Sequence, residues 1–231
     1  MKKTFLLFSV LGLFLASCGG GNKEKATETT DAQDEAKATE TSATYAVATD
    51  ASTVQWHGYK TCAKKSHTGV VSITEGSLSS ENGNLIAGEF VIDLTTIDET
   101  SENGYEEKLV GHLKGPDFFS VDSFPTAKFV ITEVKAAEGM GDTTHLISGN
   151  LTIKGKTNNI TIPAIVNISE GGVTAKSHFT IDRSQWNVKY GSTSFFDVKK
   201  DDIIDNNITF DVSLTANKQE NADAHADASG E

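Results

Sequence analysis

The sequence predicts an all-β domain of about eight antiparallel strands, closed as a barrel or stacked as a sandwich, with one short helix. Three observations carry this. Apolar and polar residues alternate with period two over many short segments, most cleanly in Ile208-Thr209-Phe210-Asp211-Val212-Ser213-Leu214. Turn-forming residues separate these segments, at Glu81-Asn82-Gly83-Asn84, Gly139-Met140-Gly141-Asp142, Lys156-Thr157-Asn158-Asn159 and Glu170-Gly171-Gly172. One segment breaks the alternation: between Glu106 and Lys114, Leu109 and Leu113 lie four apart with Val110 on the same side, which is helical spacing. Strands joined by short turns run antiparallel, because parallel pairs need long crossovers.

In chain order, candidate strands cover residues 53–58 and 69–75. Gly88, Phe90, Ile92 and Leu94 then alternate with Glu89, Val91 and Asp93. The helix follows and stops at Gly115-Pro116, ahead of Phe118-Phe119. Strands at 128–134 and 145–154 come next. Ile160, Ile162, Ala164, Val166 and Ile168 make one face of a further strand, and Val173, Ala175, Ser177, Phe179 and Ile181 one face of another. Residues 208–214 close the series.

The flanks read differently. Lys2 and Lys3 precede an apolar run from Phe5 to Ala16, long enough for a signal-peptide core but short of the roughly 20 residues that span a bilayer. The run ends in Leu15-Ala16-Ser17-Cys18, which resembles the bacterial lipobox, whose Cys takes a diacylglycerol before cleavage. Residues 1–17 are therefore expected to be a signal peptide and Cys18 the site of lipid attachment. Gly19 stands where some lipoproteins carry an Asp that retains them in the inner membrane, which points to the outer membrane. From Gly19 to Ala43 there is no Val, Ile, Leu, Met or aromatic residue. Without apolar surface to bury, residues 18–44 are expected to be a disordered tether, giving the domain a range of about 25–30 Å. The Ala- and Asp-rich residues 218–231 are expected to be a disordered tail.

What remains, residues 45–217, suits a single domain. The chain has 231 residues and a formal net charge of -12, more negative still once Lys2 and Lys3 leave with the leader. So acidic a chain lacks the cations that would displace phosphate counterions, which excludes nucleic acid as a partner. With Cys18 lipidated, Cys62 has no intramolecular partner, so neither a disulfide framework nor a Cys-based zinc site is available.

Several segments resemble the YceI-like family. One is Leu109-Val110-Gly111-His112-Leu113-Lys114-Gly115-Pro116-Asp117-Phe118-Phe119, followed by Phe124-Pro125-Thr126-Ala127-Lys128-Phe129. Ser148-Gly149-Asn150-Leu151-Thr152-Ile153-Lys154-Gly155 and Phe179-Thr180-Ile181-Asp182-Arg183 are similar to two of its strand motifs. Tyr190-Gly191-Ser192 with Ser194-Phe195-Phe196-Asp197 resembles a branch common among lipoproteins. The family departs from this chain near Trp56-His57-Gly58-Tyr59-Lys60, where extra residues including Cys62 precede His67-Thr68-Gly69. The resemblance implies a lipocalin-like barrel that binds lipid or polyisoprenoid.

On that reading the partner is a long-chain apolar lipid or isoprenoid. Phe90, Phe118, Phe119, Phe129, Phe179 and Trp186 are the candidate walls of its channel. Lys60, His67 and Arg183 are the candidate polar groups at its mouth. A filled barrel serving as a structural or protein-interaction module is the competing expectation. Catalysis and cofactors are not expected. The six His show no metal-ligand spacing, Asp197, Asp201, Asp202 and Asp205 lack the spacing of a calcium loop, and there is no Gly-x-Ser-x-Gly elbow. Gly149…Gly155-Lys156-Thr157 has five residues between its glycines where a phosphate-binding loop has four, and it opens no helix.

Overall fold

The structure is a computed structural model that describes residues 24–60, 65–101 and 106–220. The expected leader, Cys18, Cys62 and residues 221–231 lie outside the described residues. The elements are β1 (Thr29–Thr30), β2 (Ala43–Val47), β3 (Thr53–Lys60), β4 (Lys65–Glu81), β5 (Asn84–Glu99), α1 (Glu106–Lys114), β6 (Thr126–Ala136), β7 (His145–Ile153), β8 (Lys156–Ile168), β9 (Gly172–Asp182) and β10 (Ile204–Lys218).

These strands close an eight-position antiparallel barrel. β2 and β3 run in tandem, interrupted by a 3-10 turn at Thr49–Ala51, and both lie between β4 and β10. They therefore share one position. The circuit continues β4–β5–β6–β7–β8–β9–β10 and returns to β3. β4 reaches both β2 and β3 because it is long, and its register against β5 shifts three times; such bulges bend a strand around a barrel.

All eight segments expected to be strands are strands, each extending to or beyond most of its expected bounds, and the helix occupies Glu106–Lys114 as expected. Two local expectations are corrected. Lys156 to Asn159 begin β8 rather than turning; the turn is made by Lys154 and Gly155, both at positive φ (50° and 70°), where the glycine has no Cβ to oppose it. The domain also runs past its expected end: β10 extends to Lys218, and the Gln219 N–H donates to Thr44 O at 2.8 Å.

The larger correction concerns residues 24–44. Far from hanging free, residues 24–41 form a strap across the outer wall. β8 and β9 pair only from Ile165↔Lys176 to Ile168↔Val173 and then part. β1 fills the gap, pairing Thr29↔Ile160 and Thr30↔Asn159 on β8, while the Thr27 N–H donates to Thr180 O of β9 at 2.8 Å. Further along, the Asn150 side chain grips the backbone of Gln33, accepting from its N–H at 3.0 Å and donating to its carbonyl at 2.8 Å. Asn159 donates to Asn150 Oδ1 and Thr132 Oγ1. The Ala36 N–H donates to Ile131 O, and Thr39 and Thr41 both reach Glu81. The strap is held by polar pairing to a sheet edge, and an apolar-burial criterion does not register that.

The strap's first described residue is fixed by charge. His178 donates from Nδ1 to Asp211 at 2.6 Å and from Nε2 to Glu24 at 2.9 Å. Asp211 also meets His57 Nε2 at 3.0 Å, Thr180 Oγ1 donates to Glu24, and Asn207 Nδ2 donates to Glu24 O. Hydrogen bonds to Asp211 and then Glu24 raise the His178 pKa, and the same bonds lower those of both carboxylates. The His178 contribution is thus complete below the ordinary imidazole value and is lost as pH rises through its raised one. The carboxylate contribution is present above the ordinary carboxylate range and is lost as pH falls through the lowered values. Trypsin should accordingly cut after Lys25 faster at pH 9 than at pH 6, relative to a free peptide of the same sequence. Equal relative rates would refute the charge clamp.

Candidate functional site

Strand ends define two ends of the barrel. One carries the end of β3 and the start of β4, α1, the Lys154–Gly155 turn and the long connection from β9 to β10. This end is the mouth. Behind it lies a cavity of about 750 Å³, so side chains do not fill the interior. An eight-stranded barrel is wide enough either to be packed solid or to hold one ligand, and here the second arrangement is found.

The walls are the inward residues of the alternating strands. Val54, Trp56 and Gly58 contribute from β3, and Phe90, Ile92 and Leu94 from β5. Phe129 and Ile131 come from β6, and Ile162, Ala164 and Val166 from β8. Phe179 of β9 stacks on Phe210 of β10, centroids 5.5 Å apart. Phe118 and Phe119, beyond α1, meet edge to face at 5.0 Å, and Phe129 leans on Phe90 at 6.4 Å. The small residues make room for the large ones. A Cβ on Gly149 would lie 2.2 Å from the Phe129 ring, and one on Gly69 would lie 2.4 Å from Trp56. Gly149→Ala should therefore push Phe129 out of its rotamer and cost about 1–3 kcal/mol in urea unfolding. An unchanged midpoint would show that the ring relocates freely.

The structure brings eight of the nine expected channel and mouth residues to the cavity: Phe90, Phe118, Phe119, Phe129, Phe179, Lys60, His67 and Arg183. Trp186 is corrected. It ends the 3-10 turn Arg183–Trp186, is fully buried, and donates from Nε1 to Leu151 O at 2.8 Å. Its ring is sealed in the packing at the barrel end and does not line the cavity.

Arg183 reaches the cavity but is occupied. Its guanidinium donates to the carbonyls of Val188 (2.7 Å), Tyr190 (2.8 Å), Asp205 (3.0 Å) and Ile204 (3.2 Å). It lies 5.1 Å from the Phe118 ring centroid, a cation–π distance. Burial pushes its pKa down to about 10, which leaves it charged at neutral pH. It braces the mouth, with four of its five N–H groups given to backbone carbonyls.

At the rim, Lys60 Nζ lies 3.6 Å from Asp202. His67 Nδ1 meets the buried Glu99 carboxylate at 2.5 Å. The His112 ring packs 4.2 Å from Tyr190 and 6.5 Å from Phe118. Lys108, Lys65 and Tyr190 complete the mouth. Trp56, Tyr190 and Phe210 are lining aromatics missed at the level of sequence. The two strand residues were legible in principle, since Trp56 shares the alternation of Val54 and Gly58, and Phe210 that of Ile208 and Val212. Among the described residues, the buried Trp56 Nε1 has no hydrogen-bond partner.

Comparison with known proteins agrees with this geometry. A UPF0312 protein of Pseudomonas putida F1 is 33% identical over 93 residues, 40% of this chain and 45% of the relative. One from Pseudomonas aeruginosa LESB58 is 34% identical over 90 residues, 39% of this chain and 44% of the relative. The chain thus spans about half the length of the curated relatives it matches. Among solved structures, Burkholderia cenocepacia BcnA superposes with a TM-score of 0.57 at 21% identity, covering 73% of this chain and 98% of that one. A polyisoprenoid binding domain from Saccharophagus degradans, implicated in plant cell wall breakdown, superposes with a TM-score of 0.53 at 14% identity, covering 76% and 98%. At such identities these two structures speak for the barrel alone. Residues 45–216 match the YceI-like domain, and with most of the chain inside that match, the protein belongs to the YceI-like family.

Proposed function

We propose that this protein is an exported lipoprotein, held at the outer membrane of the cell envelope through lipid on Cys18, whose barrel binds and carries a long apolar lipid such as a polyisoprenoid. The cavity of about 750 Å³ carries this reading: its walls are mostly apolar and most of its charged groups sit at the rim. Burying an alkyl or isoprenoid chain there is favoured by roughly 25 cal/mol per Å². The family, and the polyisoprenoid binding named for the Saccharophagus degradans domain, support the same ligand class. The alternative of a filled barrel loses its premise. On this reading Lys60 and His67, at the rim, are the polar groups nearest the ligand's head group.

Native mass spectrometry of the full chain, released gently from membranes, tests the ligand. The expected result is a co-purifying apolar lipid, or stoichiometric uptake of an added polyprenol. A lipid-free barrel that takes up no polyprenol would sink the proposal. For the anchor, labelled palmitate should be incorporated into the native chain and lost in Cys18→Ser; incorporation in both, or in neither, counts against lipid on Cys18.

A further inference from the structure

The apolar side chains left on the surface are concentrated at one end. Tyr59, Phe124, Tyr190, Phe195 and Phe196 are all exposed at the mouth. Among the described residues only Val70, on the wall, and Met140, at the far end, are other large apolar groups so exposed. Phe196 is 56% exposed. This is not slack in a loose loop. The Ile204 N–H donates to Gly191 O at 2.9 Å, Arg183 holds Tyr190 O, Asn206 Nδ2 donates to Ser194 Oγ at 2.9 Å, and the fully buried Ser192 accepts at its carbonyl from the Phe195 and Phe196 N–H groups. The fold spends hydrogen bonds on presenting them.

Charge divides the same way. The far-end turns, residues 82–83, 137–144 and 169–171, contain Glu138, Asp142 and Glu170, follow Glu81 at the end of β4, and hold no Lys or Arg. At the mouth end Lys60, Lys65, Lys108, Lys114, Lys154, Lys189, Lys199 and Lys200 gather, with Glu107, Asp117, Asp122, Asp197, Asp201, Asp202 and Asp205 among them, so that this end is mixed in charge where the far-end turns are acidic. Lys189 Nζ lies 5.0 Å from the Phe195 ring centroid, and Lys199 and Lys200 follow Phe196 closely in sequence. Aromatic rings flanked by lysines are the chemistry that settles at a lipid–water interface of anionic character.

The strap points the same end toward the membrane. Glu24 is fixed by Thr180, His178 and Asn207, near the mouth-side ends of β9 and β10. From Cys18 to Glu24 is six residues, which at full extension reach about 20 Å. A lipid on Cys18 therefore tethers the mouth, not the far end, close to the bilayer.

We propose that the barrel rests mouth-down on the bilayer, with Tyr59, Tyr190, Phe195 and Phe196 at the lipid interface and Lys189, Lys199 and Lys200 against anionic head groups. Cargo would then pass between membrane and cavity without crossing water. The proposal rests on the lipid-anchor and lipid-carrying reading above, and its test separates the two. Full chains carrying Phe196→Trp or, as a control, Met140→Trp are reconstituted in phosphatidylethanolamine–phosphatidylglycerol vesicles doped with brominated phosphatidylcholine. Phe196→Trp emission should be quenched and Met140→Trp emission should not. The quenching should weaken when Lys189, Lys199 and Lys200 are changed to Gln. Equal quenching of both, quenching of Met140→Trp alone, or quenching of neither overturns the orientation. Polyprenol uptake from ethanol is measured on the same proteins: no uptake with the Phe196→Trp signal intact sinks lipid carriage and leaves the docking standing.

Discussion

Replacing Gly58 with Phe should close the barrel to its ligand, lowering co-purified lipid and polyprenol uptake at least about tenfold, or about 1.4 kcal/mol. Gly58 lines the cavity on β3, one inward position from Trp56 and close to the mouth. A Cβ there would meet only a Trp56 ring atom, at 3.9 Å, so a side chain can be added without displacing backbone. A phenyl group from this position enters space that the ligand needs. It also buries apolar surface in a void, so urea stability should hold or rise. That combination separates steric exclusion from unfolding. Undiminished uptake by a folded Gly58→Phe protein would mean that the ligand sits elsewhere.

Replacing Arg183 with Met should cost about 3–5 kcal/mol of stability, more than any rim substitution, because it removes a buried brace. Arg183 is 1% exposed, and its guanidinium satisfies four carbonyls from two stretches of chain, residues 188–190 and 204–205. Met keeps most of the volume but leaves those carbonyls without a donor, each worth about 1–3 kcal/mol when water cannot replace it. The loss should appear as a lower urea midpoint and as faster amide exchange over residues 188–196, where the brace holds the rim loop. Arg183→Lys should recover part of it, since an ammonium can serve some of the four acceptors but not in the planar fork geometry. A loss below about 1 kcal/mol for Arg183→Met would show that the loop holds itself.

The same residue marks the limit of what the sequence discloses. Its motif, Phe179-Thr180-Ile181-Asp182-Arg183, places a cation at the end of an inward-alternating strand, and a cation at a barrel mouth suggests a head-group ligand. Its partners are backbone carbonyls, which have no signature in sequence. The strands were legible because burial on one face imposes period two, and α1 because Leu109, Val110 and Leu113 do not fit that period. Trp186 was misassigned since large apolar area says that a ring is buried, not on which side of a strand end. The strap was missed for the opposite reason: Gln33 and Thr29 are held by Asn150 and by a free strand edge, and neither bond needs an apolar residue. The charge clamp at His178 joins Glu24 to Asp211 across most of the chain, a pairing that spacing cannot reveal.

The strap also separates two boundaries that are easily equated. Homology begins at residue 45, but the β-sheet does not end there. A chain cut at Tyr45 would strip β1 from β8, leaving the backbone of residues 159 and 160 unpaired along an open edge and uncovering Asn150 and Asn159. Such an edge is a template for a strand of another molecule. The segment least similar to a folded domain in composition is the one that keeps this barrel from adding a neighbour's strand to its own sheet.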